Sequence, residues 1–179
     1  MPTAAERARN QLDEVHVGYF PEVLDGVNER FDLICFNDVL EHMIDPWRAL
    51  AAAGRWLAPE GRVLASIPNV RYGPHLQALM LGRWDYVETG ILDRSHLRFF
   101  TRATMIEMFE SAGYRIHTCV GVQSAWRREW RGVVRGARHP LSTGASRMAY
   151  TALRPLAVKV APDIEWLQFV IVASVRVRW

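Results

Sequence analysis

The sequence predicts an α/β fold, and three observations carry that prediction. Phe31 to Phe36 is a short apolar run that gives way to the polar pair Asn37-Asp38, as a buried strand does at its carboxyl end. Asp45-Pro46 opens a helical pattern, which Pro59-Glu60-Gly61 closes before a second apolar run, Val63 to Ile67. Thr101 to Gly113 is a capped helical stretch followed by a third run, Tyr114 to Val122. Strands alternating with helices build an open sheet with helices on its faces.

A chain of 179 residues, half of them hydrophobic, buries one good core and is read as a single domain over 1–179. Cys35 and Cys119 both fall in apolar strand-like runs, so buried free thiols are expected rather than a disulfide or a metal finger. No apolar run follows a basic start, and none reaches about 18 residues, so neither a signal peptide nor a membrane span is predicted. A cytoplasmic location is the default expectation. The net charge of +3 hides an asymmetry. Residues 1–110 hold 11 arginines against 16 acids, whereas 111–162 hold eight arginines and one lysine against Glu129 alone. A basic segment on an acidic body points to an anionic acceptor or an anionic surface; arginines solvating an exposed helix explain it equally well.

The elements follow in order. Thr3 is placed to cap a helix over 3–12, with Ala4, Ala5, Ala8 and Leu12 along one side. Val15, Val17 and Gly18 read as a short strand reaching a turn. After the strand at 31–36, Asp45 caps the next helix, and Trp47, Leu50, Ala51, Gly54 and Leu57 are expected to face the sheet. Residues 70–100 have no clear period and hold Tyr72, His75, Asp93, Arg94, His96 and Arg98. Such a stretch after a strand's carboxyl end suits an acceptor-side lid; a local ion-pair network of Asp93 with Arg94 or Arg98 is the structural alternative. In the helix after Thr101, Met105, Ile106, Met108 and Phe109 include the buried face. Arg127, Arg131, Arg135 and Arg138 then form a basic stripe at helical spacing beside Trp126, Trp130, Val133 and Ala137. That pattern suits a helix lying on an anionic membrane surface, or one packing its tryptophans on the domain. Pro140 to Gly144 break it, 145–160 is a second helical stretch, and Trp166 to Val177 is the last strand.

Asp38, Glu41 and His42 stand just past a strand's carboxyl end, where open α/β sheets place their ligands. Their i, i+3, i+4 spacing puts them on one face of a helical turn. Neutral imidazole takes a proton near neutral pH, which makes His42 a candidate general base. Asp38 capping a helix, with Glu41 and His42 solvated, is the plainer alternative.

Phe31 to His42 resembles the fourth-strand motif of the class I S-adenosylmethionine (SAM)-dependent methyltransferases, in the branch whose strand ends in Val-Leu-Glu-His. The likeness continues in order through Leu57–Gly61, Ala65–Val70, Gly82–Tyr86 and Leu92–Thr101. It covers residues 3–122 and resumes at 166–175. The resemblance implies a Rossmann-like sheet carrying the family's strands 3 to 7, with the last strand antiparallel between the fifth and sixth and extra C-terminal helices. The basic helical stretch, 123–162, becomes an insert before that last strand. The resemblance also implies SAM as cofactor, with Gly18, Tyr19 and Phe20 bordering the adenine and Asn37 and Asp38 near the methionine end. Tyr19 departs from the acidic residue common at its position. Tyr72, His96 and Arg98 become candidates for contact with the acceptor. Asp38, Glu41 and His42 also resemble the Glu-x-x-Glu-His metal motif of ubiquinone-pathway O-methyltransferases, with Asp in place of the first Glu, which implies a hard divalent ion such as Mg²⁺.

The family's first strand, glycine-rich turn and helix have no counterpart: no two of the 12 glycines are separated by one residue. The acid that ends the family's second strand is missing too. The expectation is that Met1 is an internal methionine of a longer protein, or that the gene has been cut down. Without strands 1 and 2 the sheet keeps unpaired edges, which a partner chain would complete. The function implied is SAM-dependent methyl transfer to a small-molecule, lipid or glycan acceptor, in a cytoplasmic protein or one peripheral at the membrane. No nucleic-acid partner is expected. A non-catalytic remnant or interaction module of the same fold is the rival.

Overall fold

The computed structural model describes residues 3–122, 156 and 158–176. Four strands form one sheet: β1 (Phe31–Asn37), β2 (Leu57–Pro68), β3 (Tyr114–Val122) and β4 (Gln168–Val175). Their order is β1-β2-β4-β3. β1 and β2 are parallel, while β4 runs antiparallel to both β2 and β3, between which it lies. That is the arrangement the resemblance implies for the family's strands 4, 5, 7 and 6.

Val15, Val17 and Gly18, expected as a strand, form none. A strand persists only where a neighbour fills its ladder of backbone groups, and among the described residues β1 is paired on one side, to β2. The helix before it is also shorter than expected. α1 (Ala4–Arg9) starts at the expected cap, with Thr3 Oγ1 accepting from Glu6 N at 3.2 Å and Glu6 returning the bond. It buries no residue, and Leu12 is 60% exposed.

α2 (Pro46–Ala53) starts where Asp45 Oδ1 accepts from Arg48 N at 2.9 Å. Its buried face is Pro46, Ala49, Leu50 and Ala53; of the expected stripe Leu50 and Leu57 are buried, whereas Ala51 is exposed and Trp47 is 42% exposed. The helix ends at Gly54, so Pro59-Glu60-Gly61 falls inside β2. There it shifts the register to β1 between Phe31 and Leu33. A Cβ on Gly61 would sit 2.7 Å from the Phe31 carbonyl oxygen, so only glycine lets the two backbones come this close. α3 (Gly73–Met80) follows β2, and α4 (Arg102–Ser111) starts with a capping box between Thr101 and Thr104.

One face of the sheet carries the core. Phe36, Val63, Ala65, Ile67, Phe169, Ile171 and Ala173 pack there beneath Leu50 and Ala53 of α2 and Met105, Met108 and Phe109 of α4. Tyr114 donates its hydroxyl to the Leu50 carbonyl at 2.8 Å and ties β3 to α2. On the other face the edge strands are open, with Leu33 53% and Val120 51% exposed, while Leu64, Val170 and Val172 of the central strands are half-buried. Cys35 shares that face and is exposed, contrary to the expected buried thiol, while Cys119, on the core side, is half-buried; both are free.

The sheet's carboxyl edge is latched by Asn69, which is wholly buried. Its Nδ2 donates to the carbonyls of Asp163 (2.8 Å) and Trp166 (2.9 Å), and its backbone N–H donates to Leu167 O at 2.8 Å. The start of β4 is thereby fixed beside the ends of β1 and β2. Arg127, Arg131, Arg135 and Arg138, with most of the 123–162 stretch, lie outside the described residues.

Candidate functional site

At the end of β1 the chain turns sharply. Asp38 has φ 51°, a left-handed conformation that Asp enters more readily than most residues. Its amide donates to the Ser66 carbonyl at 3.1 Å and lies 3.2 Å from Ser66 Oγ. A single tight turn, Leu40–His42, follows. At about three residues per turn, adjacent side chains point apart. Glu41 is 1% exposed, whereas His42 is exposed. Asp38, Glu41 and His42 therefore do not share one helical face as expected.

The loop over 91–98 does the gathering. Leu97 N and Arg98 N both donate to the Glu41 carbonyl, at 2.8 and 3.0 Å, which lays the loop over the turn. His96 then meets His42 edge to face, ring centroids 4.6 Å apart, and its Nε2 lies 4.0 Å from Glu41 Oε1. Ligand-capable atoms of Glu41, His42 and His96 lie within 4.8 Å of one another, and Asp38 is not in that group. A cavity of about 280 Å³ opens over them at the carboxyl ends of β1 and β2, reached also by Asp93 and Gln168.

The charges are unequal in kind. Burial pushes the Glu41 carboxyl up to about 7, its own backbone N–H offsets part of the rise, and the neighbouring Asp38 charge adds to it; neither Glu41 oxygen meets another group in hydrogen-bond geometry. Asp93 is held below the usual carboxylate range by the Ser95 hydroxyl and amide. The expected Asp93 ion pair with Arg94 or Arg98 is not formed. Arg94 pairs with Glu88 at 3.0 Å, and Arg98 donates to the backbone carbonyls of Ile44 and Leu97.

A family model described as a methyltransferase domain matches residues 2–118. The chain belongs to the class I SAM-dependent methyltransferases. Among solved structures, a SAM-dependent methyltransferase from Archaeoglobus fulgidus is 13% identical, with TM-score 0.50, covering 85% of this chain and 63% of its own. One from Thermotoga maritima is 17% identical (TM-score 0.46; 82% of this chain, 56% of its own). The CcbJ methyltransferase from Streptomyces caelestis is 11% identical (TM-score 0.46; 84% and 59%). At such identities the likeness concerns the fold. The chain spans about half the length of the first solved structures it matches. No curated protein matches it.

The methyltransferase family implies SAM, and the residues expected to border it divide. Asn37 and Asp38 are exposed at the end of β1, and Tyr19 is 90% exposed, so all three side chains are open to solvent. Phe20 is committed to the core edge, 5.9 Å from Phe36 and 5.7 Å from Trp56 between ring centroids. Gly18 packs on Val23, whose Cγ2 would lie 2.7 Å from an added Cβ. Of the residues expected to meet an acceptor, His96 stands in the cavity. Tyr72 is buried at 2% exposure outside the cavity lining, and Arg98 is spent on backbone carbonyls. The expected metal set changes too: His96 stands where Asp38 was expected, and a group with two imidazoles does not fit a hard ion such as Mg²⁺. Thr89 and Gln168 line the cavity without any signal in the sequence, because chain folding alone brings them there.

Proposed function

We propose that the chain takes part in SAM-dependent methylation of a small-molecule, lipid or glycan acceptor, whose reacting group enters the cavity over Glu41, His42 and His96. The observation that supports this best is the convergence of those three side chains under a cavity at the sheet's carboxyl edge. SAM, when bound, supplies an electrophilic methyl group. Asn37, Asp38 and Tyr19 would hold its near side, with Asp38 kept in place by Ser66. The cavity orients the acceptor, and orientation accounts for much of the rate in a displacement of this kind. His42, exposed and next to the cavity, takes the acceptor's proton. Calorimetric titration of the chain with SAM tests the reading. Saturable binding, weakened by Asp38→Ala and Tyr19→Ala but not by His42→Ala, is expected.

The rival reading, an interaction module that keeps the fold without catalysis, is favoured by the absence of any Gly-x-Gly. No heat with SAM selects it. In either case the arginine excess over 111–162 supports an anionic acceptor or membrane surface, in a cytoplasmic protein held peripherally. Liposome flotation tests that part: binding to anionic but not to neutral vesicles is expected.

A further inference from the structure

The floor of the cavity over Glu41, His42 and His96 is made of groups that accept hydrogen bonds and offer none. A backbone carbonyl only accepts, so each histidine's hydrogen is fixed by the carbonyl it meets. His96 Nδ1 is 3.0 Å from Ile91 O, and His42 Nδ1 is 3.2 Å from Ser95 O. Both Nδ1 atoms therefore carry hydrogen, and each Nε2 keeps a free lone pair. Both Glu41 oxygens are buried and meet no other group in hydrogen-bond geometry. His96 Nε2 lies 4.0 Å from Glu41 Oε1, too far for a bond between them. Asp38 and Asp93 add their carboxyl groups to the lining, which among the described residues includes no lysine or arginine. Buried acceptors without donors cost free energy, so a ligand that brings hydrogens and positive charge gains most here.

We infer that this cavity binds a primary ammonium group, and that the acceptor is an aliphatic amine. An ammonium nitrogen carries three hydrogens at tetrahedral angles. Charge-assisted bonds of about 2.8 Å along them end on acceptors roughly 4.6 Å apart. One side-chain nitrogen or oxygen from each of Glu41, His42 and His96 lies within 4.8 Å of the other two, which is the spacing three such bonds need. A hydroxyl brings a single hydrogen and leaves two of the three acceptors unmet. A carboxylate or phosphate dianion brings none and meets the carboxyl groups of Asp38, Glu41 and Asp93. Any anionic part of the acceptor that the arginines of 111–162 would meet therefore stays outside this cavity. A volume of about 280 Å³ leaves room for a small carbon skeleton behind the nitrogen, and a free amine and an amino sugar present the same group to the floor. That the bound amine is the group methylated rests on the methyl-transfer reading; its binding rests on the cavity's geometry.

The test is an NMR titration of the 179-residue chain at fixed pH, in chelator and without SAM, that follows the ring resonances of His42 and His96. The probes are ethanolamine, cyclohexylamine and glucosamine, each set against its hydroxyl counterpart (ethylene glycol, cyclohexanol and glucose), and inorganic phosphate. Saturable shifts with at least one amine, and none with its hydroxyl counterpart or with phosphate, are expected; which amine binds separates a free amine from an amino sugar. Glu41→Gln, which keeps the side chain's shape and removes its charge, and His42→Ala, at an exposed position, should each weaken binding by roughly tenfold or more, with circular dichroism unchanged. No saturable shift with any amine, equal binding of the hydroxyl counterparts or of phosphate, or affinity undiminished in either variant overturns the inference. Because the titration contains no SAM, failure here leaves the SAM titration to stand or fall by itself.

Discussion

Ile171 and Glu41 are buried almost equally, yet burial does opposite things at the two places. In the core under α2 and α4 the buried side chains are apolar, the one hydroxyl among them, on Tyr114, is hydrogen-bonded, and removing surface from water stabilises the fold. At the carboxyl edge a carboxyl is taken from water just as completely and receives no hydrogen bond from another residue in return. The first region holds the fold together. The second stores free energy that a proton or a bound cation can release. Folding alone gives no reason to keep such a group, which is why the edge reads as the working part of the molecule.

Four measurements would break or sharpen this contrast. The largest effect is expected in the core: Phe169→Ala should cost about 3–5 kcal/mol in denaturant unfolding, whereas Val120→Ala on the open face should cost under about 1 kcal/mol. Similar losses at both would remove the distinction between the faces.

Glu41 comes next and should move the other way. Its folded-state carboxyl titrates near 7, above the ordinary 4.5, so the folded protein keeps a proton that the unfolded chain releases. The stabilisation this brings is complete below about pH 4.5 and is lost as pH rises through 7. Above that pH the buried carboxylate costs up to about 3 kcal/mol relative to a neutral group. In chelator, Glu41→Gln should therefore flatten the stability profile between these limits and be the more stable protein at pH 8. A parallel profile for the two proteins would count against the unpartnered carboxylate.

Asn69 is a third kind of buried group, polar and fully bonded. Asn69→Ala should cost about 1–3 kcal/mol by stranding the carbonyls of Asp163 and Trp166. It should also loosen the cavity wall at Gln168, read as faster hydrogen exchange at the start of β4. The smallest effect is chemical. A thiol reagent should modify Cys35 on the open face well before Cys119, whose thiol burial pushes up in pKa.

Much of the fold was legible because local chemistry and tertiary packing agree. Thr3, Asp45 and Thr101 each cap where the sequence places a cap, and β3 has the bounds expected of it. Two expectations failed for non-local reasons. The strand at Val15–Gly18 had the right residues and no neighbour to pair with. Cys35 lies in an apolar run, but an apolar run does not say whether both faces of the sheet are covered. The site was half legible. Glu41 and His42 stand out beside a strand end, yet helical spacing named Asp38 as their companion. The companion is His96, brought from far along the chain by two hydrogen bonds to one carbonyl. Arg98 and Tyr72 look like substrate-binding residues, and packing uses both.

The pairing of β3 with β4 has a consequence for engineering. Val122 and Gln168 are register partners, and Leu167 donates to the Val122 carbonyl at 3.0 Å. The two strands pair as the arms of an antiparallel hairpin do, whatever the length of chain that joins them. Loop length changes closure entropy only slowly. The stretch 123–161 is therefore the place to splice in a reporter or a shorter connection, provided Asp163 and Trp166 stay to meet Asn69. Such a graft would keep the cavity wall intact while exchanging the most arginine-rich part of the chain.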